Sequence, residues 1–166
     1  MTRTLVVYYS RSGKTQQMAD DIAAGLGATL ERIEAPGIGG GPLGYAKAAL
    51  SAFGRRPVAI AAPRHDPADF DLVVVGSPVW IGGVSGPVRT YLTRHGNSFK
   101  RCAFFVTLGS GDAESAFADM AACSGRQPEA IAAISDRDRR ESLSATATMA
   151  FLNRLLTCSP ASPPRG

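Results

Sequence analysis

The sequence predicts an α/β fold in which helices cover both faces of a parallel β-sheet. The chain has 166 residues, of which 45% are hydrophobic and 19% charged, a composition typical of one globular domain. Short apolar runs rich in β-branched and aromatic residues alternate with segments whose apolar residues recur at helical spacing. Strands that are apolar along their whole length are typical of parallel sheets, and right-handed crossovers then place the helices on both faces.

The first predicted strand spans residues 5–9, with the sequence LVVYY. The period changes at Lys14, where a predicted helix begins. This helix has one apolar face, formed by Met18, Ala19, Ile22, Ala23 and Leu26. Gly25 and Gly27 are expected to end it. Residues 29–33 alternate polar and apolar side chains and carry charges, which predicts a short strand at a sheet edge.

The rest of the chain continues the alternation of strands and helices. A glycine-rich connector at 36–44, an amphipathic helix at 45–53 and a loop at 57–67 precede buried strands at 72–76 and 102–108 and a weaker strand at 131–134. Pro87 is expected to open one helix and Asp112 to cap another. A final helix is marked by apolar residues at Met149, Leu152, Leu155 and Leu156. We expect the domain to span residues 1–158 and a disordered tail to follow at 159–166.

Composition argues against several classes of protein. The net charge is +4, but the arginines are scattered and only 7% of the residues are aromatic, so we do not expect nucleic-acid binding. Cys102, Cys123 and Cys158 lack disulfide-framework or metal-ligand spacing, so no metal site is expected. No secretory leader or apolar run of membrane-spanning length is recognised, which predicts a cytoplasmic protein.

Ligands of parallel α/β sheets bind at the carboxyl ends of the strands, which directs attention to three loops. The first loop leads from the first strand into a helix amino terminus and consists of Ser10, Arg11, Ser12, Gly13, Lys14 and Thr15. Backbone N–H groups, hydroxyls and the helix dipole there suit a phosphate, although a serine-capped helix with solvated hydroxyls is the alternative. A nucleotide-triphosphate P-loop is disfavoured, since the glycine it needs is replaced by Tyr8.

The second and third loops favour a planar ligand. The second contains the only tryptophan of the chain within a glycine-rich stretch that we expect to be flexible, and includes Pro78, Val79, Trp80, Ile81 and Gly82. An aromatic ligand would give this indole ring a partner, whereas the alternative is that the ring folds back over the end of the sheet. The third loop offers backbone N–H groups and little bulk at Gly109, Ser110 and Gly111, and by itself is compatible with an ordinary turn.

Together the three loops resemble those of the flavodoxin-like FMN proteins. The matching segments are Ser10-x-Ser12-Gly13-x-Thr15, Gly76-Ser77-Pro78-Val79-Trp80 with Gly82 and Pro87-Val88-Arg89, and Leu108-Gly109-Ser110-Gly111-Asp112. The resemblance covers about residues 4–156. It implies a flavodoxin-like three-layer sandwich, with a five-stranded parallel sheet in the order 2-1-3-4-5 and FMN bound noncovalently.

The same resemblance implies a role for each loop. The first loop, residues 10–15, would hold the phosphate. The second, residues 78–82, would line the ribityl chain and one face of the isoalloxazine ring, with a backbone group near Gly82 or Gly83 next to flavin N5. The third, residues 109–111, would close the pyrimidine side. No catalytic side chain is assigned.

Two departures from the electron-carrier flavodoxins bear on function. Those carriers are typically acidic and sandwich the flavin between aromatic side chains, whereas this chain is basic and has no aromatic residue between Leu108 and Ala116. An open flavin face favours an oxidoreductase that passes electrons from NAD(P)H to a quinone or similar acceptor. The alternatives are an electron carrier between redox proteins, which Tyr45 would favour by covering the ring, and a flavin-free binding module. Related flavoproteins suggest a homodimer.

Overall fold

The computed structural model describes residues 1–38, 41–44, 46 and 57–158. The predicted tail and most of the predicted helix at 45–53, including Tyr45, lie outside the described residues. The strands are β1 (Thr4–Tyr8), β2 (Thr29–Arg32), β3 (Leu72–Trp80), β4 (Gly83–Val84), β5 (Cys102–Leu108) and β6 (Ile131–Ser135). The helices that position the site are α1 (Lys14–Leu26), α2 (Gly86–His95), α3 (Glu114–Ser124), α4 (Asp136–Arg140) and α5 (Ser144–Thr157).

The sheet has five parallel strands in the order β2-β1-β3-β5-β6, and the short β4 pairs antiparallel with the end of β3. Numbered without β4, this is the predicted order 2-1-3-4-5, so the fold prediction is confirmed. The register places Val6 of β1 beside Val74 of β3, and Val74 beside Ala103 of β5. The chain reverses its strand order beside β1, and the carboxyl ends of β1, β3 and β5 therefore meet at one edge.

Alternate residues of each central strand pack into two separate cores. In β1, Leu5 and Val7 belong to the core under α2 and α3, whereas Val6 and Tyr8 belong to the core under α1 and α5. Successive side chains of a strand point to opposite faces of the sheet. This geometry explains why the predicted strands are apolar at every position.

Helix α1 ends just before Gly27, the second of the two glycines that were predicted to stop it. Gly27 has φ 59° and its N–H bonds to the carbonyls of Ala23 and Ala24, the left-handed conformation that favours glycine. Gly25 lies inside the helix, so its prediction as a stop residue is wrong. A Cβ at Gly25 would lie 2.6 Å from Leu152 Cδ1 of α5, which shows that this glycine serves the packing of the two helices.

The edge strand β2 is confirmed, but its buried side chain is charged. Leu30 is exposed, whereas the carboxylate of Glu31 is buried and accepts hydrogen bonds from the N–H groups of Arg64 and His65, at 2.7 and 3.1 Å. The Nδ1 atom of His65 lies 2.7 Å from the same carboxylate. Glu31 therefore attaches the segment before β3 to the sheet edge, which satisfies the buried charge.

The final helix α5 is also confirmed, but only two of the four apolar residues that predicted it are buried. Phe151, Leu152 and Leu155 are buried, while Met149 and Leu156 are exposed. No helix in the described part of the chain combines the length and the apolar character needed to cross a membrane.

Candidate functional site

A cleft of about 440 Å³ opens at the carboxyl ends of the central strands. Its described lining residues come from all three predicted loops and from two further places in the chain. They are Arg11, Ser12, Lys14, Thr15, Gly41, Pro78, Val79, Trp80, Thr107, Leu108, Gly109 and Asp136. The topology thus brings together segments that are distant in sequence, at the place where α/β sheets bind their ligands.

The first loop forms an open helix amino terminus. Gly13 precedes α1 with φ 89°, a conformation that disfavours other residues, and no side chain caps the helix. The Ser10 hydroxyl oxygen accepts a hydrogen bond from the Gly13 N–H at 3.0 Å, which shapes the loop. The first-turn N–H groups therefore lack a protein side-chain cap and present the positive end of the helix dipole to the cleft.

One buried and one partly buried contact hold this loop against the sheet. The Thr15 and Thr107 hydroxyl oxygens lie 2.7 Å apart, which links the start of α1 to β5. Arg32 of β2 donates from Nη2 to the Ser10 carbonyl at 2.9 Å. Ser10 and Thr15 are buried, whereas Arg11, Ser12 and Lys14 are exposed, so the loop has fixed ends and an accessible centre.

A charged pair lies at the same end of the cleft. Lys14 Nζ donates to both carboxylate oxygens of Asp136, at 2.6 and 2.8 Å. This hydrogen bond lowers the pKa of Asp136 below its usual value, with smaller contributions from the charges of Lys14 and the nearby arginines. Asp136 is thus held as a carboxylate beside the first loop.

The second loop is more ordered than the sequence predicts. Strand β3 continues past the predicted end at Gly76 as far as Trp80, and a two-residue turn returns the chain into β4. The structure therefore has a β-hairpin where the sequence analysis expected a loop. Ile81 has φ 49° and Gly82 has φ 72°, and positive φ at both central residues is typical of a type I′ hairpin turn. Backbone pairing across this hairpin extends the sheet beyond the predicted end of the strand.

Polar contacts behind the hairpin fix its position. The Ser77 hydroxyl lies 2.9 Å from the Ser85 hydroxyl, and the Ser85 N–H donates to the Ser77 hydroxyl oxygen at 3.1 Å. Arg89 Nη2 donates to Asp119 Oδ2 at 2.7 Å, and a Cβ at Gly83 would lie 2.8 Å from that carboxylate oxygen. Gly83 must therefore lack a side chain for the hairpin to pack on α3.

Trp80 lines the cleft and also contacts the core. Its ring meets the ring of Tyr9 edge to face, with centroids 5.7 Å apart and an interplanar angle of 89°. This contact fixes the indole at one side of the cleft while leaving part of it accessible. Both interpretations of Trp80 from the sequence are thus partly met: the ring packs on the end of the sheet and remains available to a ligand.

The third loop is exposed and small. Gly109, Ser110 and Gly111 lie at the surface, and Gly111 has φ 97°. The Asp112 carboxylate accepts a hydrogen bond from the Glu114 N–H at 2.9 Å, but the N-cap position of α3 is Ala113. Asp112 therefore stabilises the start of α3 from the position just before the N-cap.

The structure places eight of the predicted site residues on the cleft wall and the others beside it. Ser10 and Gly13 shape the first loop, Ile81 and Gly82 form the hairpin tip, and Ser110 and Gly111 continue the third loop. Whether any of the predicted site residues holds a ligand stays a prediction. The sequence analysis missed four lining residues, Gly41, Thr107, Leu108 and Asp136. The last three lie at or just after the carboxyl ends of β5 and β6, a position that could have identified them.

We expect the hairpin tip to be a site of stored strain. Ile81 is β-branched, exposed and left-handed, a combination that costs about 1 kcal/mol or more. Ile81→Asn should therefore raise the free energy of unfolding by about 1 kcal/mol, because Asn-Gly is the favoured pair for this turn. Urea denaturation measures the change, and Ile81→Val, which keeps the branched Cβ, is the matched control. Equal stability of the asparagine and valine variants would contradict the assignment of strain.

No protein-family model matches the chain. Among solved structures, a flavoprotein from Lactobacillus acidophilus NCFM in complex with FMN aligns with a TM-score of 0.70 and 24% identity, over 87% of this chain and 99% of that chain. A putative flavoprotein from Bacteroides eggerthii DSM 20697 aligns with a TM-score of 0.72 and 17% identity, over 87% and 98%. The Trp repressor binding protein from Bacillus subtilis aligns with a TM-score of 0.57 and 13% identity, over 90% and 98%. The chain therefore has the flavodoxin-like fold.

Proposed function

We propose that the protein binds FMN in this cleft and acts as an oxidoreductase that passes electrons from NAD(P)H to a quinone or similar acceptor. One observation carries the proposal: an uncapped helix amino terminus and an accessible tryptophan face the same cleft. A phosphate and a planar ring are the two ends of FMN. The complex of the Lactobacillus acidophilus flavoprotein with FMN supports the same ligand.

The residues present fit the cofactor. The cleft volume of about 440 Å³ lies in the range of small-molecule sites. At one end, the Ser12 hydroxyl, the Arg11 and Lys14 cations and the first-turn N–H groups of α1 would bind the phosphate by charge-assisted hydrogen bonds. At the other end, Trp80 would pack against the isoalloxazine ring.

FMN when bound supplies electron and hydride transfer at its ring system. The chain's part is to bind and orient it. Tyr9 holds Trp80 in place through the edge-to-face contact, and the contacts of Ser77 and Ser85 hold the hairpin that carries Ile81 and Gly82. The strain at Ile81 is consistent with a functional role for the tip, because strained backbone is concentrated at binding sites.

The third loop favours a reductase over a dedicated carrier. Residues 109–113 include no aromatic side chain, and Trp80 is the only aromatic residue among the described lining residues. Among the residues that the structure describes, one side of the cleft therefore has no aromatic cover, which would let a second planar molecule stack there, such as a nicotinamide and then a quinone. The basic surface, with a net charge of +4, would attract the phosphates of NAD(P)H.

Steady-state turnover tests the reductase proposal. The protein loaded with FMN should oxidise NADH or NADPH continuously when a soluble benzoquinone is present, as followed by the loss of absorbance at about 340 nm. Free FMN at the same concentration is the control. Retained FMN without turnover of either nucleotide would contradict the reductase and favour the electron carrier, which would instead exchange electrons with a redox protein.

The proposal includes a cytoplasmic location and a homodimer. The three cysteines, Cys102, Cys123 and Cys158, are all free, which is typical of a reducing compartment. The homodimer is implied by the flavodoxin-like resemblance, and a molar mass twice that of the 17.3 kDa chain in sedimentation equilibrium would support it.

A further inference from the structure

The Lys14 ammonium is already engaged by a carboxylate within the cleft. Its Nζ contacts both oxygens of Asp136, and the two side chains are partly exposed, at 47% and 29%. This cation is the same one that the proposed function assigns to the phosphate. A phosphate that reaches Lys14 must therefore either displace Asp136 or share the ammonium with it.

Asp136 has neighbours on two sides. Arg139 Nε lies 3.9 Å from Asp136 Oδ1, and Arg139 Nη2 donates to the Lys14 carbonyl at 3.4 Å. On the other side, a Cβ at Gly109 would lie 3.8 Å from Asp136 Oδ2. The carboxylate thus lies between the phosphate loop and the third loop, and Arg139 ties its helix to the start of α1.

We propose that Asp136 competes with the ligand phosphate for Lys14 and thereby limits the affinity of the site for phosphorylated flavin. This inference rests on the proposed function. A carboxylate and a phosphate at one ammonium repel each other, and the penalty is moderate because the site is partly open to solvent and screened by salt. Asp136 is then a specificity-determining residue that reduces the preference for FMN over riboflavin, which lacks the phosphate.

Titration of flavin fluorescence with purified protein tests this role. Asp136→Asn removes the charge and keeps the size, and should lower the Kd for FMN about tenfold while changing the Kd for riboflavin less than about twofold. The matched control is Glu141→Gln, which removes a charge just beyond the same short helix. Glu141 is paired with Arg137 rather than with a cleft residue, so its replacement should change neither affinity.

Asp136→Ser repeats the test with a smaller uncharged side chain, in case the amide disturbs α4, and it leaves the N-cap residue of this helix, Ser135, unchanged. Tighter binding of FMN alone in either folded variant supports the competition. Unchanged or weaker FMN binding, in variants whose parent protein binds FMN, would overturn the inference and leave the proposed function standing. A parent protein that binds neither flavin would overturn both.

Discussion

Ser12→Glu is expected to weaken FMN binding about a hundredfold or more without unfolding the protein. Ser12 is exposed at the centre of the first loop, next to the uncapped start of α1. The substitution removes a hydroxyl donor, and it places a carboxylate where the proposed phosphate would lie. Loss of one charge-assisted hydrogen bond costs about 1.5–3 kcal/mol, and the repulsion between like charges adds to it. Fluorescence titration with FMN measures the change.

The control for this prediction is Ser98→Glu. Ser98 is also an exposed serine, but it precedes β5 at the opposite end of the sheet from the cleft. The Ser98→Glu variant should bind FMN as the parent protein does. It loses the hydrogen bond from the Ser98 hydroxyl to the His95 carbonyl, so its melting temperature checks that it is folded, and Ser12→Glu should melt near the parent temperature. FMN binding that survives in Ser12→Glu would place the phosphate elsewhere.

Gly76→Ala is expected to destabilise the protein by about 3 kcal/mol, a lowering of the melting temperature by about 6–12 °C. A Cβ at Gly76 would lie 2.0 Å from Phe105 Cζ and 2.5 and 2.6 Å from the adjacent ring carbons. The two residues are direct partners in the β3–β5 register, and Phe105 is fully buried. The ring therefore occupies the space of the missing side chain and cannot move into solvent.

Gly37→Ala is the matched control for the glycine substitution. A Cβ at Gly37 would meet nothing within 4 Å, so the change should alter stability by less than about 0.5 kcal/mol. Phe105→Leu should recover part of the loss when combined with Gly76→Ala, because the smaller side chain vacates the clash. Thermal unfolding followed by circular dichroism compares the variants, and equal melting temperatures for both alanine variants would refute the packing described here.

The strands and helices follow from the sequence because their physical signals are strong and local, whereas the sheet order was implied by the resemblance to the flavodoxin-like FMN proteins. The buried strands are continuous runs of β-branched and aromatic residues, and Gly27 ends α1 by a conformation that glycine favours. The hairpin after β3 was missed because its glycines suggested a flexible loop. Its order comes from backbone pairing of Val79 with Val84 and of Trp80 with Gly83, which depends on a turn that begins with a strained isoleucine rather than the usual asparagine or glycine.

The site was predictable where one loop follows one strand and was missed where two distant segments meet. The first loop is continuous in sequence, so its hydroxyls, glycine and helix start could be recognised together. Asp136 is separated from Lys14 by 122 positions, and no local pattern indicates that they pair. Likewise, no local pattern indicates that Glu31 rather than Leu30 is buried in β2, because the donors for the buried carboxylate come from the distant segment that carries His65.

The most direct test of this account is the visible absorption spectrum of the purified protein after incubation with FMN and removal of unbound ligand. We expect a flavin spectrum at about one equivalent per chain, since the described cleft combines one phosphate end with one aromatic wall. The spectrum should be lost in Ser12→Glu and retained in Ser98→Glu. A folded parent protein that retains no flavin would contradict the assignment of the cleft as an FMN site.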